Sequence, residues 1–306
     1  MAQPAEPMLD TLGGTQPAQV ARRYLLATRP PFLAASVMPI LVGTAWGRAQ
    51  SGTLDVTVAL IALLATAAVQ AGTNVINDVG DEIGGSDRAN VDRIFPYSGG
   101  SRFIQNGVMS LTEMKRWGVA LVAGAMLLGA LLAWMKGPVV VGIGLAGIAL
   151  GVAYSLPPLH LAARGVGEIA VGLGLGFMPV MGSAWLQSGR LDGAAALVAV
   201  PTAMWVSAIL LINEVPDIAA DAGAGKRTLP VRIGVTGTRI VYAGMHLIAL
   251  AGVAALVVLG HLHWGALLLP VALAGFGVAT TAGISNEPSR RAAQRASMER
   301  TLMMHT

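Results

Sequence analysis

Two short stretches of the sequence carry closely spaced aspartates that are suited to holding a metal ion. Asp78 and Asp81 are three residues apart, and Asp217 and Asp221 are four residues apart. Helical residues at these spacings lie on one face, so each stretch predicts a helix that points two carboxylates in the same direction. Paired carboxylates repel each other and are costly near hydrocarbon, so each pair is expected to have a cationic partner.

Magnesium would suit both pairs. It accepts one or two carboxylates from a protein, keeps some water and takes its remaining oxygens from a substrate phosphate. Two pairs that face each other therefore predict a diphosphate held between them by Mg²⁺. Basic residues nearby in the sequence would neutralise the remaining charge, namely Arg102 in the glycine-rich 98–102 turn and Lys226, Arg227 and Arg232 behind the second pair.

The two stretches share features that favour a common site. Taken alone, each is compatible with a solvated loop that forms ordinary surface salt bridges. However, both follow a long apolar run, and both begin with an asparagine shortly before the first aspartate, Asn74 in one and Asn213 in the other. This duplication predicts two related halves of a helical bundle that meet at one site.

Apolar runs along the chain predict the helices that position these residues. Of the 306 residues, 54% are hydrophobic and only 12% are charged, whereas soluble domains carry about 25% charged residues. Runs of about 16 to 22 apolar residues match the thickness of a hydrocarbon core. We predict an all-α, polytopic membrane bundle with about eight transmembrane helices around a central cavity. The predicted spans are residues 32–48, 56–76, 117–135, 138–155, 166–187, 194–213, 235–260 and 264–284.

The same patterns predict the domain organisation. We expect a disordered leader over 1–22, a transmembrane domain over 23–285, and a polar tail or shortened last helix over 286–306. Glycines spaced by four predict close helix packing. These glycines are Gly147 with Gly151 and Gly172 with Gly176. With no cysteine in the chain, disulfides and thiolate metal sites are excluded.

The distribution of basic residues predicts the orientation in the membrane. Eight crossings place both chain ends on one side with the loops 77–116, 156–165 and 214–234. Of the 20 Lys and Arg residues, only Arg48, Lys136 and Arg190 fall on the other side, and an excess of Lys and Arg marks the cytoplasmic side. We predict a multi-pass protein of the cell inner (cytoplasmic) membrane with its site on the cytoplasmic side. The basic residues are therefore explained by orientation, so no nucleic-acid partner is predicted.

Several motifs together resemble the intramembrane aromatic prenyltransferases of the UbiA type. The resemblance covers about residues 24–304. Its motifs are the Arg29-Pro30 opening, the stretch from Asn74 to Asp87, Tyr154 to Pro158 with Arg164 to Glu168, and the stretch from Asn213 to Gly234, which includes Lys226, Arg227 and Thr228.

The resemblance implies a reaction and a set of site residues. A polyprenyl diphosphate, bound through Mg²⁺, would transfer its prenyl group to an aromatic acid inside a lipid-embedded cavity. The implied metal ligands are Asp78, Asp81, Asp87, Asp217 and Asp221, of which all but Asp87 are also predicted to be catalytic. The implied substrate-binding residues are Asn74, Asn77, Arg102, Tyr154, Arg164, Asn213, Lys226 and Arg227. Tyr154 could instead be an aromatic anchor at the membrane interface, and Arg164 could serve only to set the orientation in the membrane. Glu168 could have a role in the site or could simply favour the start of a helix.

The branch of the family is indicated by the third aspartate. Asp87 follows Asp81 by six residues rather than four, which is similar to the 1,4-dihydroxy-2-naphthoate polyprenyltransferases of menaquinone synthesis. Hydroxybenzoate-type or homogentisate-type acceptors, or a terpene cyclase of the same architecture, remain alternatives within enzymes. An ion-coupled transporter is the alternative from another class.

Two departures from the pattern carry expectations about structure. Pro216 predicts that the sixth span ends or kinks near Asn213, which would distort the spacing of Asp217 and Asp221. The family typically has nine spans, whereas the segment after residue 285 is polar.

Overall fold

The computed structural model describes residues 5–304, and those residues form helices joined by turns, with no strand among them. In chain order the helices are α1 Leu9–Leu12, α2 Pro17–Ala27, α3 Ala34–Ser51, α4 Val56–Gly84, α5 Ser86–Ala89, α6 Leu111–Lys136, α7 Val139–Ser155, α8 Gly167–Val171, α9 Met178–Ser188, α10 Gly193–Asn213, α11 Ile218–Gly223, α12 Leu229–Val258, α13 Leu268–Thr280 and α14 Arg291–Met303. A π-helical segment, Gly172–Phe177, joins α8 to α9.

The predicted membrane bundle is confirmed. Seven helical segments of the described chain are long and apolar enough to cross a membrane, and α7 is a shorter apolar helix of 17 residues. These eight segments match the eight predicted spans. The main difference is at α4, which continues to Gly84 instead of ending near residue 76. It therefore carries Asp78 and Asp81 on helical backbone.

Helix packing depends on small residues, but at different positions from some of those predicted. The bundle is built from α3 packed on α9, α4 on α6 and α10 on α12. A Cβ atom at Gly172 would lie 2.3 Å from Ser207 Oγ, and one at Gly176 would lie 2.5 Å from the Cα of Ala203. These two glycines therefore let the π-helical segment approach α10, as predicted.

The prediction was wrong for Gly147. A Cβ atom there would meet no neighbour within 4 Å, because this face of α7 borders an open cavity and not another helix. Gly151, one turn further along, does face a neighbour, since its Cβ would lie 3.2 Å from Thr73 Oγ1.

The predicted disordered leader, residues 1–22, is also corrected over the part that the structure describes. Helix α1 and the start of α2 lie within it. Leu12 is buried in a cluster with Phe103 and Met109. Arg93 donates two hydrogen bonds to the Glu6 carboxylate, at 2.8 and 3.1 Å. Polar composition misled the prediction because these polar residues pair with the 90–110 loop.

The polar segment after residue 285 forms α14, which packs against α10. Its buried polar side chains have partners: Gln294 Nε2 donates to the carbonyl oxygen of Ile212 at 3.0 Å, and the hydroxyls of Tyr242 and Thr301 are 2.6 Å apart. At 13 residues, α14 is about 20 Å long. It is therefore shorter than the hydrocarbon core of about 30 Å.

Candidate active site

The two acidic stretches converge on one basic residue. Lys226 lies just after α11 and forms an ion pair with Asp81 at the end of α4. The same ammonium group, Lys226 Nζ, lies 3.6 Å from Asp221 Oδ1 in α11. The two pairs of aspartates therefore face a common site, as the duplication predicted.

The first acidic stretch is held by the glycine-rich turn. Asp78 is 2% exposed, and the backbone N–H of Ser101 donates to both of its carboxylate oxygens at 3.3 Å. Gly100 has a φ of +71°, and a Cβ atom there would lie 2.3 Å from Asp87 Oδ2. Only glycine combines this backbone conformation with such a close approach to two carboxylates.

The second acidic stretch is broken by proline but keeps its spacing. Helix α10 ends at Asn213 as predicted, and Asp217 then precedes α11. The N–H of Asp221 donates to the carbonyl oxygen of Asp217 at 2.8 Å, so one helical turn restores the expected geometry. The predicted distortion is therefore confined to the break before Asp217.

The loop after α5 ties the second stretch to the first. Asn90 Nδ2 donates to Asp217 Oδ1 at 2.6 Å, and the N–H of Gly99 donates to Asp217 Oδ2 at 3.2 Å. Since Ser101, two residues beyond Gly99, binds Asp78, a single loop fixes one carboxylate of each stretch.

A cavity of about 190 Å³ lies between these groups. Its polar end is lined by residues of both stretches. These residues include Arg29, Asn74, Asn77, Asp81, Asp87, Asn90, Tyr154, Asn213, Glu214, Asp217, Asp221 and Lys226. Its apolar walls share Val69, Gly147, Gly174 and Leu175 with a second cavity of about 330 Å³. The second cavity is almost entirely apolar and reaches Leu132, Trp185 and Leu186. We call the first cavity the charged chamber and the second the apolar chamber; they adjoin at these four shared residues.

The charged chamber concentrates negative charge. Burial, with repulsion from Asp81 and Asp78, raises the pKa of Asp87 to about 8. Burial raises the pKa of Asp221 to about 7 even though Lys226 opposes the shift. Burial by itself would lower the pKa of Lys226, but Asp81 and Asp221 raise it above its ordinary value. Lys226 is therefore charged, but its single positive charge does not neutralise all the carboxylates around it.

These groups fit a magnesium ion that arrives with a phosphate. No three His, Asp or Glu side chains of residues 5–304 are grouped closely enough to form a metal site by themselves. The five predicted aspartate ligands are therefore not preassembled into one closed cluster. Magnesium commonly uses one or two carboxylates and completes its shell with water and substrate phosphate, which agrees with carboxylates placed on opposite walls of one cavity.

Most of the predicted site residues line this cavity, and four do not, namely Asp78, Arg102, Arg164 and Arg227. Asp78 lies just beneath the lining, where it is held by Ser101. Arg102 is buried behind Asp87, where its Nη1 donates to the Asp87 carbonyl oxygen at 2.6 Å. Arg164 and Arg227 are exposed, and Arg164 Nη2 donates to the Pro158 carbonyl oxygen at 2.8 Å. The structure therefore does not place these three arginines in the charged chamber.

Several residues that line or border the cavity were not predicted from the sequence to belong to the site. Arg29 Nη1 lies 3.9 Å from Asp78 Oδ1; its position before Pro30 was noted, but only as a motif. Glu214 follows Asn213 directly and lines the same wall. Asn90 gave no signal, because its role depends on a contact 127 residues away.

Comparison with known proteins agrees with this geometry. The model of the UbiA prenyltransferase family matches residues 36–303. The 1,4-dihydroxy-2-naphthoate octaprenyltransferase of Escherichia coli (strain K12) is 36% identical over 231 residues, which cover 72% of this chain and 71% of that protein. The protein of the same name from Mycobacterium tuberculosis is 30% identical over 261 residues, covering 83% and 85% respectively.

Solved structures share the fold. A UbiA homolog from Aeropyrum pernix K1 superposes with a TM-score of 0.67 at 20% identity, covering 89% of this chain and 94% of that one. A UbiA homolog from Archaeoglobus fulgidus bound to DMAPP and Mg²⁺ superposes with a TM-score of 0.65 at 16% identity, covering 92% and 98%. The family resemblance predicted from the motifs is confirmed: the chain belongs to the UbiA prenyltransferase family, and it is a prenyltransferase.

Proposed function

We propose that this protein transfers a polyprenyl group from its diphosphate to a ring carbon of 1,4-dihydroxy-2-naphthoate in a magnesium-dependent reaction. The observation that carries the proposal is the meeting of Asp81 and Asp221 at Lys226. The names of the relatives from Escherichia coli and Mycobacterium tuberculosis support this acceptor. The Archaeoglobus homolog bound to DMAPP and Mg²⁺ supports the donor and the metal.

In this proposal the diphosphate binds in the charged chamber. Asp78, Asp81, Asp217 and Asp221 would hold Mg²⁺, with Asp87 beside them. When bound, magnesium stabilises the negative charge that grows on the leaving diphosphate. Lys226 and Arg29 add fixed positive charge at the same end, and such preorganised groups stabilise a leaving group without having to reorient. Asn74, Asn77 and Asn213 extend the polar lining on the same side.

The apolar chamber would take the prenyl chain. Its walls carry no charged side chain that could bind a diphosphate, and they share Gly147 and Leu175 with the charged chamber. Burying a prenyl chain there releases about 25 cal/mol for each Å² of apolar surface removed from water. The same walls exclude water from the allylic cation left when the diphosphate departs.

The charged chamber is proposed to face the cytoplasm. All of its aspartates lie in or beside the loops that hold most of the Lys and Arg residues, and such loops remain on the cytoplasmic side. A polyprenyl diphosphate could then enter laterally from the membrane with its head group at the cytoplasmic interface.

A turnover assay tests this function. Purified protein is incubated with radiolabelled polyprenyl diphosphate, Mg²⁺ and a panel of aromatic acids, and the product is identified by mass. We expect prenylated 1,4-dihydroxy-2-naphthoate, which is lost on chelation of Mg²⁺ and in Asp78→Ala and Asp217→Ala. Asp92→Ala is the matched control, since Asp92 is exposed and lies between the two acidic stretches in the sequence. Turnover with hydroxybenzoate alone would contradict the proposed acceptor. Full activity in Asp78→Ala or Asp217→Ala would contradict the proposed active site.

A further inference from the structure

The loop after α5, which binds Asp217, is itself held by one arginine, Arg93. Two residues of this loop donate to the Asp217 carboxylate, Asn90 through its side chain and Gly99 through its backbone. Arg93 lies between them in the sequence and contacts both. Its Nη1 donates to the Asn90 carbonyl oxygen at 2.9 Å, and a Cβ atom at Gly99 would lie 2.6 Å from the Cβ of Arg93. Arg93 therefore touches both residues that bind Asp217.

The side chain of Arg93 is fixed by the leader of the chain. Its Nε and Nη2 donate to the two oxygens of the Glu6 carboxylate at 2.8 and 3.1 Å. Two parallel hydrogen bonds between a guanidinium and a carboxylate fix the plane of the guanidinium as well as neutralising its charge. Since Nη1 lies in that same plane, the pairing with Glu6 also sets the direction in which Nη1 points, which is toward the carbonyl oxygen of Asn90.

The backbone of Arg93 is held from the other end of the chain. Arg291, the first residue of α14, donates through Nη2 to the Arg93 carbonyl oxygen. The N–H of Ile94, the next residue, donates to Ser98 Oγ at 2.8 Å, which closes this part of the loop on itself. Arg93 is thus held at its side chain by the leader and at its carbonyl group by α14.

The position of Arg93 excludes direct contact with a donor in the charged chamber. Arg93 is not among the described residues that line this chamber, and its charge is already paired with Glu6. An arginine that only tied the leader to the loop would need Glu6 as its partner and nothing more. The further hydrogen bond from Arg93 goes to the backbone of Asn90, whose side chain binds Asp217. A chain of contacts therefore runs from the leader to the second acidic stretch.

We propose that Arg93 is a positioning residue for the magnesium site: held by Glu6, it fixes Asn90, and Asn90 in turn orients the Asp217 carboxylate. This inference rests on the proposed function, because it takes Asp217 as a ligand of Mg²⁺. Residues that orient metal ligands typically lower metal affinity by about 10- to 100-fold when they are replaced. Arg93 is one contact further from the metal than Asn90, so its replacement should cause a loss at the lower end of that range.

The dependence of donor binding on Mg²⁺ tests this role. Arg93→Met keeps the aliphatic stem that packs on Gly99 and removes all three hydrogen bonds to Glu6 and Asn90. We expect this variant to need about tenfold more Mg²⁺ for half-maximal binding of an unreactive polyprenyl thiodiphosphate, with full binding restored at saturating Mg²⁺. Glu6→Ala should shift the Mg²⁺ dependence in the same direction by a smaller factor, because it removes only two of the three bonds. Arg93→Lys, which keeps the charge, should recover part of the shift.

Asn106→Ala is the matched control for attachment of the leader. Asn106 lies in the same loop, and its Nδ2 donates to the Pro7 carbonyl oxygen at 2.8 Å and to Glu6 Oε2 at 3.4 Å. The variant therefore removes contacts of the leader but leaves Arg93 bonded to Glu6 and Asn90. It should bind the thiodiphosphate with the Mg²⁺ dependence of the wild type. An equal shift in Asn106→Ala and Arg93→Met would show a general effect of loosening the leader and would overturn the specific role of Arg93.

A double variant shows whether Arg93 acts through Asn90. Once Asn90→Ala has removed the amide that binds Asp217, Arg93→Met should have little left to disturb. The double variant should therefore need Mg²⁺ at a concentration within about twofold of that for Asn90→Ala alone, since residues in one hydrogen-bonded network do not act additively. Losses that multiply would mean that Arg93 acts by another route, and the proposal would be wrong.

Hydrogen exchange in the metal-free protein gives a readout that does not depend on turnover. The N–H of Gly99, which donates to Asp217, should lose protection in Arg93→Met and Glu6→Ala and keep it in Asn106→Ala, because exchange reports local opening of the loop. If Arg93→Met fails to fold, Glu6→Ala decides the question, with binding at saturating Mg²⁺ as the measure of intact structure. The Mg²⁺ dependence of the wild type in every folded variant of Arg93 and Glu6 would overturn this inference alone. Thiodiphosphate binding by the wild type that does not depend on Mg²⁺ would overturn the proposed function along with it.

Discussion

Lys226 forms an ion pair with Asp81, a residue 145 positions earlier in the chain. The contact joins the end of α4 to the turn after α11 and places one ammonium group between two acidic stretches. Partly buried ion pairs cost desolvation free energy, and this one is surrounded by further carboxylates. Its position is therefore better explained by a bound anion than by stability of the fold.

Lys226 should be required for turnover. A hydrogen bond to a charged group is worth about 1.5 to 3 kcal/mol, so Lys226→Met should lower kcat/KM by roughly 10- to 150-fold. Lys226→Arg should retain a larger share of activity because it keeps the charge. Steady-state kinetics in detergent or nanodiscs would measure both. Lys115→Met, an exposed lysine at the start of α6, should behave like the wild type, and an equal loss there would contradict a specific role.

Gly100 should be required for magnesium-dependent binding of the donor. Gly100→Ala forces a left-handed backbone on alanine and places its Cβ against Asp87. Gly107→Ala is the matched control, since Gly107 has a φ of +69° but no neighbour within 4 Å of a Cβ. Both variants should lose about 1 to 2 kcal/mol of stability from backbone strain. Only Gly100→Ala should lose binding of polyprenyl thiodiphosphate in an equilibrium assay, and equal binding in the two would show that the contact with Asp87 does not matter.

Asn90 should support the site through Asp217. Asn90→Ala removes the donor that lies 2.6 Å from Asp217 Oδ1 and leaves the Gly99 N–H as a donor to Asp217 Oδ2; the lost hydrogen bond to a carboxylate is worth about 1.5 to 3 kcal/mol. We expect a weaker apparent affinity for Mg²⁺, measured from the dependence of kcat on its concentration. Asn106→Ala, in the same loop but bonded to the Pro7 carbonyl oxygen, should leave that dependence unchanged. The same shift in both variants would indicate a general effect of the loop.

The length of the accepted prenyl chain should depend on Gly147. Gly147 borders both chambers and has free space around it, so Gly147→Leu should narrow the passage between them. Activity with an octaprenyl donor should fall far more than activity with a dimethylallyl donor. Competition between the two donors would measure the ratio. Gly275→Leu on α13, which is also free of neighbours but lines neither chamber, should not change this ratio; a changed ratio there, or none in Gly147→Leu, would place the prenyl chain elsewhere.

Much of this arrangement could be predicted from the sequence because it follows from local patterns. Long apolar runs predict spans, and aspartates at helical spacing predict carboxylates on one face. Asp78 with Asp81 and Asp217 with Asp221 are placed as those spacings require. The break at Pro216 was predicted correctly for the same reason, since proline acts on the residues next to it.

The remaining features depend on contacts between distant residues. Asn90 and Arg29 belong to the site only because folding brings them to Asp217 and Asp78. Arg102 is close to the acidic stretches in sequence, but its side chain turns away to the Asp87 carbonyl oxygen. The ordered leader was missed because its contacts, Glu6 with Arg93 and Leu12 with Phe103, join residues far apart in the sequence. Composition alone does not contain that information.

The central claim is that the two acidic stretches hold one donor jointly, and a double-mutant cycle tests it. Asp81→Asn, Asp221→Asn and the double variant are compared by equilibrium binding of polyprenyl thiodiphosphate, with and without Mg²⁺. Residues that share one bound group are coupled by about 0.5 to 3 kcal/mol, whereas distant independent sites add within about 0.5 kcal/mol. We predict that each single variant loses most of the magnesium-dependent affinity and that the double variant loses little more. Additive losses, or affinity that does not depend on Mg²⁺ in the wild type, would contradict the account.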